Sequence, residues 1–381
     1  ERYFRVDGEP PASPWDAIAG TYRCGDGRWV RIHTNFPHHR DGILDLLDCD
    51  YTRESVQVAL DGWQADAFED AVAARGLVAT MMRSPAEWLA SPQGAALAGQ
   101  PLVSVERIGR APINELLPAA RPLSRVRVLD LTRIIAGPVC GRALAAHGAE
   151  VLRIGSPHLP FIASLIVDTG RGKRSAHIDL DHDGGRTGLR NLLRAADVFV
   201  QGYRPGGLAA RGFSPEEAAA LRPGIVYVSL SAYGFAGPWA ERRGFDSLVQ
   251  TASGINHAEA EAAGIEGPKE LPCQALDHAS GYLMALGTIA ALTRRAREGG
   301  SWHVKVSLAR TGRWLQSLGR IDGGHACPAP APEDAEPYLE TSESGFGKLE
   351  AIRHAAQLSR TPARWHQPSM PLGSHTGKWI E

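Results

Sequence analysis

Residues 127–154, RVLDLTRIIAGPVCGRALAAHGAEVLRI, decide the fold. Val126, Val128, Leu129 and Leu131 make a short, nearly all-apolar run, the pattern of a strand buried on both faces. The Ala136-Gly137-Pro138 turn follows, and Pro suits the first helical position, where its missing N–H costs nothing. Val139, Leu144 and Ala145 recur at helical spacing, and Gly148 after His147 is placed to close that helix in the left-handed conformation. Val151, Leu152 and Ile154 then supply the next strand. A β-α-β unit of this kind belongs to a parallel sheet, which takes ligands in the crevice at the carboxyl ends of its strands. Residues 132–138 are therefore the first place to expect a bound molecule.

Downstream, strands and helices keep alternating. A basic turn leads into a strand over 171–180, and a helix over 184–195 precedes a strand over 197–201. The loop 202–206, a helix over 214–221 and a strand over 225–231 come next. A Gly/Pro-rich loop over 233–244 leads to a helical run over 245–252. The clearest helix covers 281–297, with Tyr282, Leu286, Ile289 and Thr293 on one face and Gly299-Gly300 beyond its end. Residues 302–308 alternate as a half-buried strand, and a last helix is expected over 349–358. Upstream, residues 20–34 alternate around Gly25-Asp26-Gly27, a hairpin signal. Short amphipathic helices are expected over 41–47, 54–60, 64–75 and 84–90, the last opening on the capping box Ser84-Pro85-Ala86-Glu87. These patterns predict a small α+β domain over 1–110, a Pro-containing linker over 111–124 and a large α/β domain over 125–381.

The totals exclude several classes. A chain of 381 residues is long enough for two cores. Its net charge of −1 leaves no global field to recruit nucleic acid or an anionic membrane. No apolar run approaches the ~20 residues needed to cross a bilayer. The opening ERYFRVDGEP reads as neither a signal nor a transit peptide. Five dispersed cysteines (Cys24, Cys49, Cys140, Cys273, Cys327) argue against a disulfide framework or a zinc site, so a cytoplasmic setting is expected.

Asp277, in QALDHASGYLMALG, admits two readings. It is placed to cap the strong helix that follows, and a carboxylate there could equally serve as a nucleophile. His278 beside it points elsewhere, as an exposed or capping residue, and Cys140 reads as a small core residue. Tyr203-Arg204-Pro205, Arg211 and Arg242-Arg243 put cations after two strand ends. Each alone is ordinary solvated surface; together they suit a phosphate-bearing ligand. Arg171, Lys173 and Arg174 form a third basic turn open to both readings. No GxGxxG fingerprint occupies the first turn, which argues against a dehydrogenase.

Taken together, VLDLTRIIAGP, GAEVLRI, RGKRSAHIDL, ADVFVQGYRPGGLAARGF, LRPGIVYVSLSAYGFAGP, RRGFDSLVQTASG and LDHASGYLMALGTIAAL resemble the class III CoA-transferase family. They stand in family order from about residue 126 to 310. YRCGDGRWVRI is similar to the family's small-domain hairpin, and PSMPLGSHTGKW to its C-terminal signature. The resemblance implies a Rossmann-like, coenzyme A-binding large domain and a catalytic Asp277. That carboxylate would attack an acyl-CoA thioester to give an aspartyl anhydride, and CoA would pass to a second carboxylic acid without metal or ATP. CoA would lie along Ile135, Ala136, Gly202, Tyr203, Arg204, Arg211 and Arg243, and the protein would form an interlocked homodimer.

The sequence also departs from the family. The small domain comes first, whereas most members insert it after the VSL strand, so the order looks permuted. The racemase branch carries a His immediately before the Asp matching Asp246; here Phe245 stands there, which favours transfer over two-base racemisation. Gly155-Ser156 replaces a basic residue common after the second strand, and no Gly-rich loop precedes the Tyr22 hairpin. The alternatives are an acyl-CoA racemase or CoA-dependent lyase of the same family, and a catalytically inactive CoA-binding protein.

Overall fold

The computed structural model describes residues 2–204 and 206–380; Pro205 of the basic tripeptide lies outside them. In chain order the strands are β1 (Arg5–Val6), β2 (Gly20–Arg23), β3 (Trp29–Ile32), β4 (Ala79–Met81), β5 (Ser104–Gly109), β6 (Arg127–Leu131) and β7 (Glu150–Gly155). They continue with β8 (Lys173–His177), β9 (Val198–Gln201), β10 (Val226–Ser231), β11 (Ser301–Ser307), β12 (Leu339–Ser344) and β13 (Gly347–Ile352). Seven of them form one sheet in the order β5-β11-β10-β9-β6-β7-β8. Every pairing in it is parallel except that of β5 with β11.

Side-chain alternation splits β6 between two cores. Val128 faces one, with Val198, Val228, Val304 and the helix residues Leu144 and Met284. Leu129 and Leu131 face the other, with Leu152, Phe199, Tyr227 and Leu193. Apolar side chains on both faces require helices on both faces, and this is why the opening run is apolar in both registers save for Asp130, which is buried against Lys173. The fold is thus α/β, a large mostly parallel sheet accompanied by smaller antiparallel ones.

Several boundaries differ from the sequence reading. The helix after β6 is Ala136–Ala146, so Pro138 is its third residue rather than its first. The position tolerates Pro because N–H groups throughout the first turn lack intrahelical partners. The long helix is Ala275–Glu298, starting well before residue 281. Its buried side is built from small residues: a Cβ on Gly281 would lie 2.6 Å from the carbonyl oxygen of Ala136 in the neighbouring helix, and one on Gly287 2.6 Å from Val304 in the sheet. Tyr282, Leu286 and Ile289 face away from the sheet and are exposed. Residue 308 starts the helix Leu308–Ser317, capped by Ser307, instead of ending a strand. The helix expected over 349–358 is replaced by β13, which pairs antiparallel with β12 and β1. There Leu349 and Ala351 are buried between exposed or half-buried neighbours, a period of two.

Near the N-terminus, β2, β3 and β4 make a three-stranded antiparallel sheet. Ile18, Val30, Ile32, Ile43, Phe68 and Val72 form its core. We propose units over 1–110 and 125–381 joined by 111–124. β5, at the end of the first stretch, pairs in the large sheet, and Trp88 and Leu97 pack with Tyr233, Val249 and Leu276.

Candidate active site

A cavity of about 600 Å³ opens at the carboxyl ends of the parallel strands. Leu131 closes β6, Gly155 closes β7, Gly202 follows β9 and Ser231 closes β10, and all four line it. The chain leaves β6 through Thr132, whose amide donates to Asp130 Oδ1 at 3.0 Å. It then passes through Ile134 at φ 71°. A β-branched residue in the left-handed region is strained by ~1–3 kcal/mol, a cost typically found at functional sites. The turn places Arg133, Ile134, Ile135 and Ala136 along the cavity wall.

Asp277, Ile135, Ala136, Gly202, Tyr203, Arg204, Arg211 and Arg243 are all brought to this one cavity. Tyr203 is fixed by its own amide, which donates to Gln201 Oε1 at 2.9 Å. Burial raises its pKa, and the Arg133 and Arg153 charges oppose that rise. Arg211 is neutralised by Asp181 at 2.6 Å. Burial lowers the pKa of Arg243, and the like charge of Arg204 lowers it further.

Asp277 is buried in the first turn of the long helix, not at its cap; Gln274 holds the cap position without a side-chain bond. The carboxylate that caps this turn comes from another helix, Asp246–Ala252. Asp246 Oδ2 accepts the Asp277 amide N–H at 2.8 Å, and Oδ1 accepts from the Gln250 side-chain amide. Gln250 also bonds the Cys273 carbonyl (3.3 Å) and the Leu271 N–H (3.1 Å), clamping the loop that delivers the helix. Asp246 is 1% exposed; burial lifts its pKa to about 6, against the amide hydrogen bonds that favour the anion. From the N-terminal sheet, buried Arg31 adds positive charge near Asp246 and pairs with Glu270.

The third basic turn is absorbed into the structure. Lys173 Nζ lies 2.8 Å from Asp130 Oδ2 and 2.8 Å from the Pro138 carbonyl oxygen, all within the core. Arg171, with Arg142, grips buried Asp168, whose carboxyl is held far below the usual range despite its burial. Cys140 is a core residue with its thiol pushed up by burial. Among the described residues no group of three or more His, Cys, Asp or Glu is arranged to hold a metal ion.

The sequence reading missed the wall supplied by the N-terminal part of the chain. Phe36, His38 and His39 line the cavity, in and just before the first turn of the helix Pro37–Leu47. The nearby His33 ring stacks on Phe245 at 3.9 Å with the planes 7° apart. The histidine-rich run HTNFPHHR was the available signal, but nothing in its spacing ties it to a site more than two hundred residues away.

Residues 123–334 match CoA-transferase family III, and the chain belongs to that family. It is 34% identical over 311 residues to an acyl-CoA transferase of Gibberella moniliformis, covering 75% of this chain and 54% of that protein. It is 32% identical over 205 residues to a succinate–glutarate CoA-transferase of Agrobacterium fabrum, covering 49% and 51%. A crystal structure of a mutant of a Mycobacterium tuberculosis protein, Rv3272, superposes with TM-score 0.56 at 22% identity, over 67% of this chain and 97% of that one. The chain spans about half the length of the curated relatives it matches.

Proposed function

We propose that this protein transfers CoA between an acyl-CoA and a carboxylic acid through an acyl intermediate on Asp277. The observation that carries the reading is the shared cavity of Asp277, the strand-end residues and Arg243. The Asp277 carboxylate attacks the thioester carbonyl; a C–O bond forms, the C–S bond breaks and the CoA thiolate leaves, giving a mixed anhydride. The acceptor's carboxylate attacks the aspartyl carbonyl and displaces the donor acid. The thiolate then adds to the acceptor's carbonyl, forming the new thioester and returning Asp277 as a carboxylate. One thioester replaces another, so the sequence is near thermoneutral. The protein's work is to hold the nucleophile, shield the anhydride from water and stabilise each oxyanion with N–H groups.

The cavity would take CoA's pantetheine along Ile135 and Ala136 and its phosphates near Arg204 and Arg243, with Arg211 sharing its charge with Asp181. Phe245 supports transfer over racemisation, because its ring cannot carry a proton. The relatives include proteins named for succinate, glutarate and fatty acyl groups, so the donor is proposed only as a thioester of a carboxylic acid. We place the protein in the cytoplasm as a homodimer; the exposed apolar ridge of Tyr282, Leu286 and Ile289 supports self-association. None of the described helices is long and apolar enough to cross a membrane.

Intact-mass measurement after mixing with acetyl-, succinyl- and palmitoyl-CoA tests the reading. A hydroxylamine-labile adduct that vanishes in Asp277→Ala is expected. CoA binding without any adduct would leave the racemase or binding-protein reading.

A further inference from the structure

Arg133 lines the cavity, and the CoA reading gives it no role. It lies between Thr132, tied to Asp130, and Ile134, whose left-handed backbone turns the chain along the cavity wall. Its side chain is half-buried, and that burial lowers its pKa. Among the described residues no carboxylate comes within ion-pair distance of it, whereas Arg211 has Asp181 and Arg242 has Asp70 at 3.1 Å. A desolvated charge without a counter-ion is costly, and an anionic ligand atom would recover that cost.

The guanidinium is held in a way that suits such a ligand. Its Nη2 donates to the Pro160 carbonyl oxygen, while Nε and Nη1 make no such bond and keep accessible surface, which here is the cavity. Cζ lies 5.3 Å from the Phe36 ring centroid, so one face rests on the ring and the N–H edge stays free for a planar carboxylate. Beyond Phe36 comes Phe245, the two rings 6.0 Å apart. The residue after Phe245, Asp246, takes the Asp277 amide at 2.8 Å. One wall thus carries a cation, then two apolar rings, then the start of the nucleophile's helix. An acid with its reacting carboxyl at Asp277 would lay its carbon chain against the rings and present its far end to Arg133.

We infer that Arg133 is a specificity-determining residue that binds the distal carboxylate of a short dicarboxylic acid, free or as its CoA thioester, while the reacting carboxyl sits at Asp277. This rests on the transferase reading and names the substrate class that reading leaves open. A monocarboxylic acid of the same length leaves the guanidinium without its counter-ion, so the site selects against it.

The test follows acyl-enzyme formation on the full chain by intact mass, from glutaryl-CoA and from pentanoyl-CoA at subsaturating concentration. The two thioesters share the CoA moiety and the chain length and differ in the distal carboxylate. The wild-type protein should react with glutaryl-CoA at least about tenfold faster, the scale of one charge-assisted contact. Arg133→Leu should remove that preference by slowing glutaryl-CoA alone, and Arg133→Lys should restore part of it, since the charge remains and the fork is lost. Equal wild-type rates overturn the inference without any variant, so it stays exposed even if Arg133→Leu does not fold. Equal slowing of both thioesters in Arg133→Leu, or no slowing of either, also overturns it; equal slowing gives the residue to the CoA moiety or to the fold. In all these cases an adduct leaves the transferase reading standing. No adduct from either thioester in the wild-type protein overturns that reading and the inference with it.

Discussion

Asp246 Oδ2 takes the backbone N–H of Asp277 at 2.8 Å, so the first turn of the long helix is capped by a carboxylate from another helix. Removing it in Asp246→Ala leaves a buried amide unsatisfied, and we expect a loss of about 1–3 kcal/mol in urea unfolding. Asp246→Asn tests the titration. The folded pKa of about 6 lies above the usual carboxylate value, so folding favours the protonated form. That contribution is fully present below about pH 4 and is lost as pH rises through 6. Wild-type stability should therefore decline across this window more steeply than that of Asp246→Asn, which has no proton to release.

The Lys173–Asp130 pair braces the turn from inside the core. Lys173→Met strands the Asp130 charge, and we expect about 3–5 kcal/mol of destabilisation. Asp130→Leu combined with Lys173→Met should recover part of that loss. Unfolding of the single and the double variant in urea checks both statements. Gly141→Ala should disturb the same pair, since its Cβ would lie 2.5 Å from Asp130 Oδ2.

Arg243 and Arg211 line the same cavity, but only Arg211 has Asp181 at 2.6 Å. Arg243→Leu is expected to weaken CoA binding about tenfold, and Arg211→Leu by less. Calorimetric titration at low and high salt checks the difference; the Arg243 effect should shrink as salt rises.

Leu286 is 61% exposed at the centre of an apolar helical ridge. Leu286→Lys should leave folding intact and shift the particle mass seen by light scattering towards the monomer. If the wild-type protein is already monomeric at micromolar concentration, the ridge has another use.

The parallel sheet was legible because strands buried on both faces must be apolar throughout, as Val128 and Leu129 are. The cavity followed from the strand ends, since Gly202 and Ile135 could only emerge at one edge. Other features depended on partners far away in sequence. The ridge at Tyr282 was readable as a face, but only the close approach of Gly281 to Val139 in the neighbouring helix and of Gly287 to Val304 in the sheet decides which face is buried. Asp246 entered the sequence reading only as the residue after Phe245, and its service to Asp277 is tertiary. The stretch GKLEAIRHAAQL is rich in helix formers, yet pairing of β13 with β12 and β1 overrides that propensity in its first half. His39 stood in a histidine-rich run, but nothing in that run's spacing ties it to a site more than two hundred residues away.

Strand β5 finds its partner only at β11, Val105 opposite Val304, and β1 waits for β13, Arg5 opposite Glu350. During synthesis the ribosome therefore releases two strands long before either can pair. Between the emergence of residue 231 and that of residue 307, the apolar edge of β10 that β11 will cover has no neighbour. Such an edge is a template for association with other chains. Heterologous production should therefore be limited less by the stability of the finished fold than by chaperone supply and translation speed.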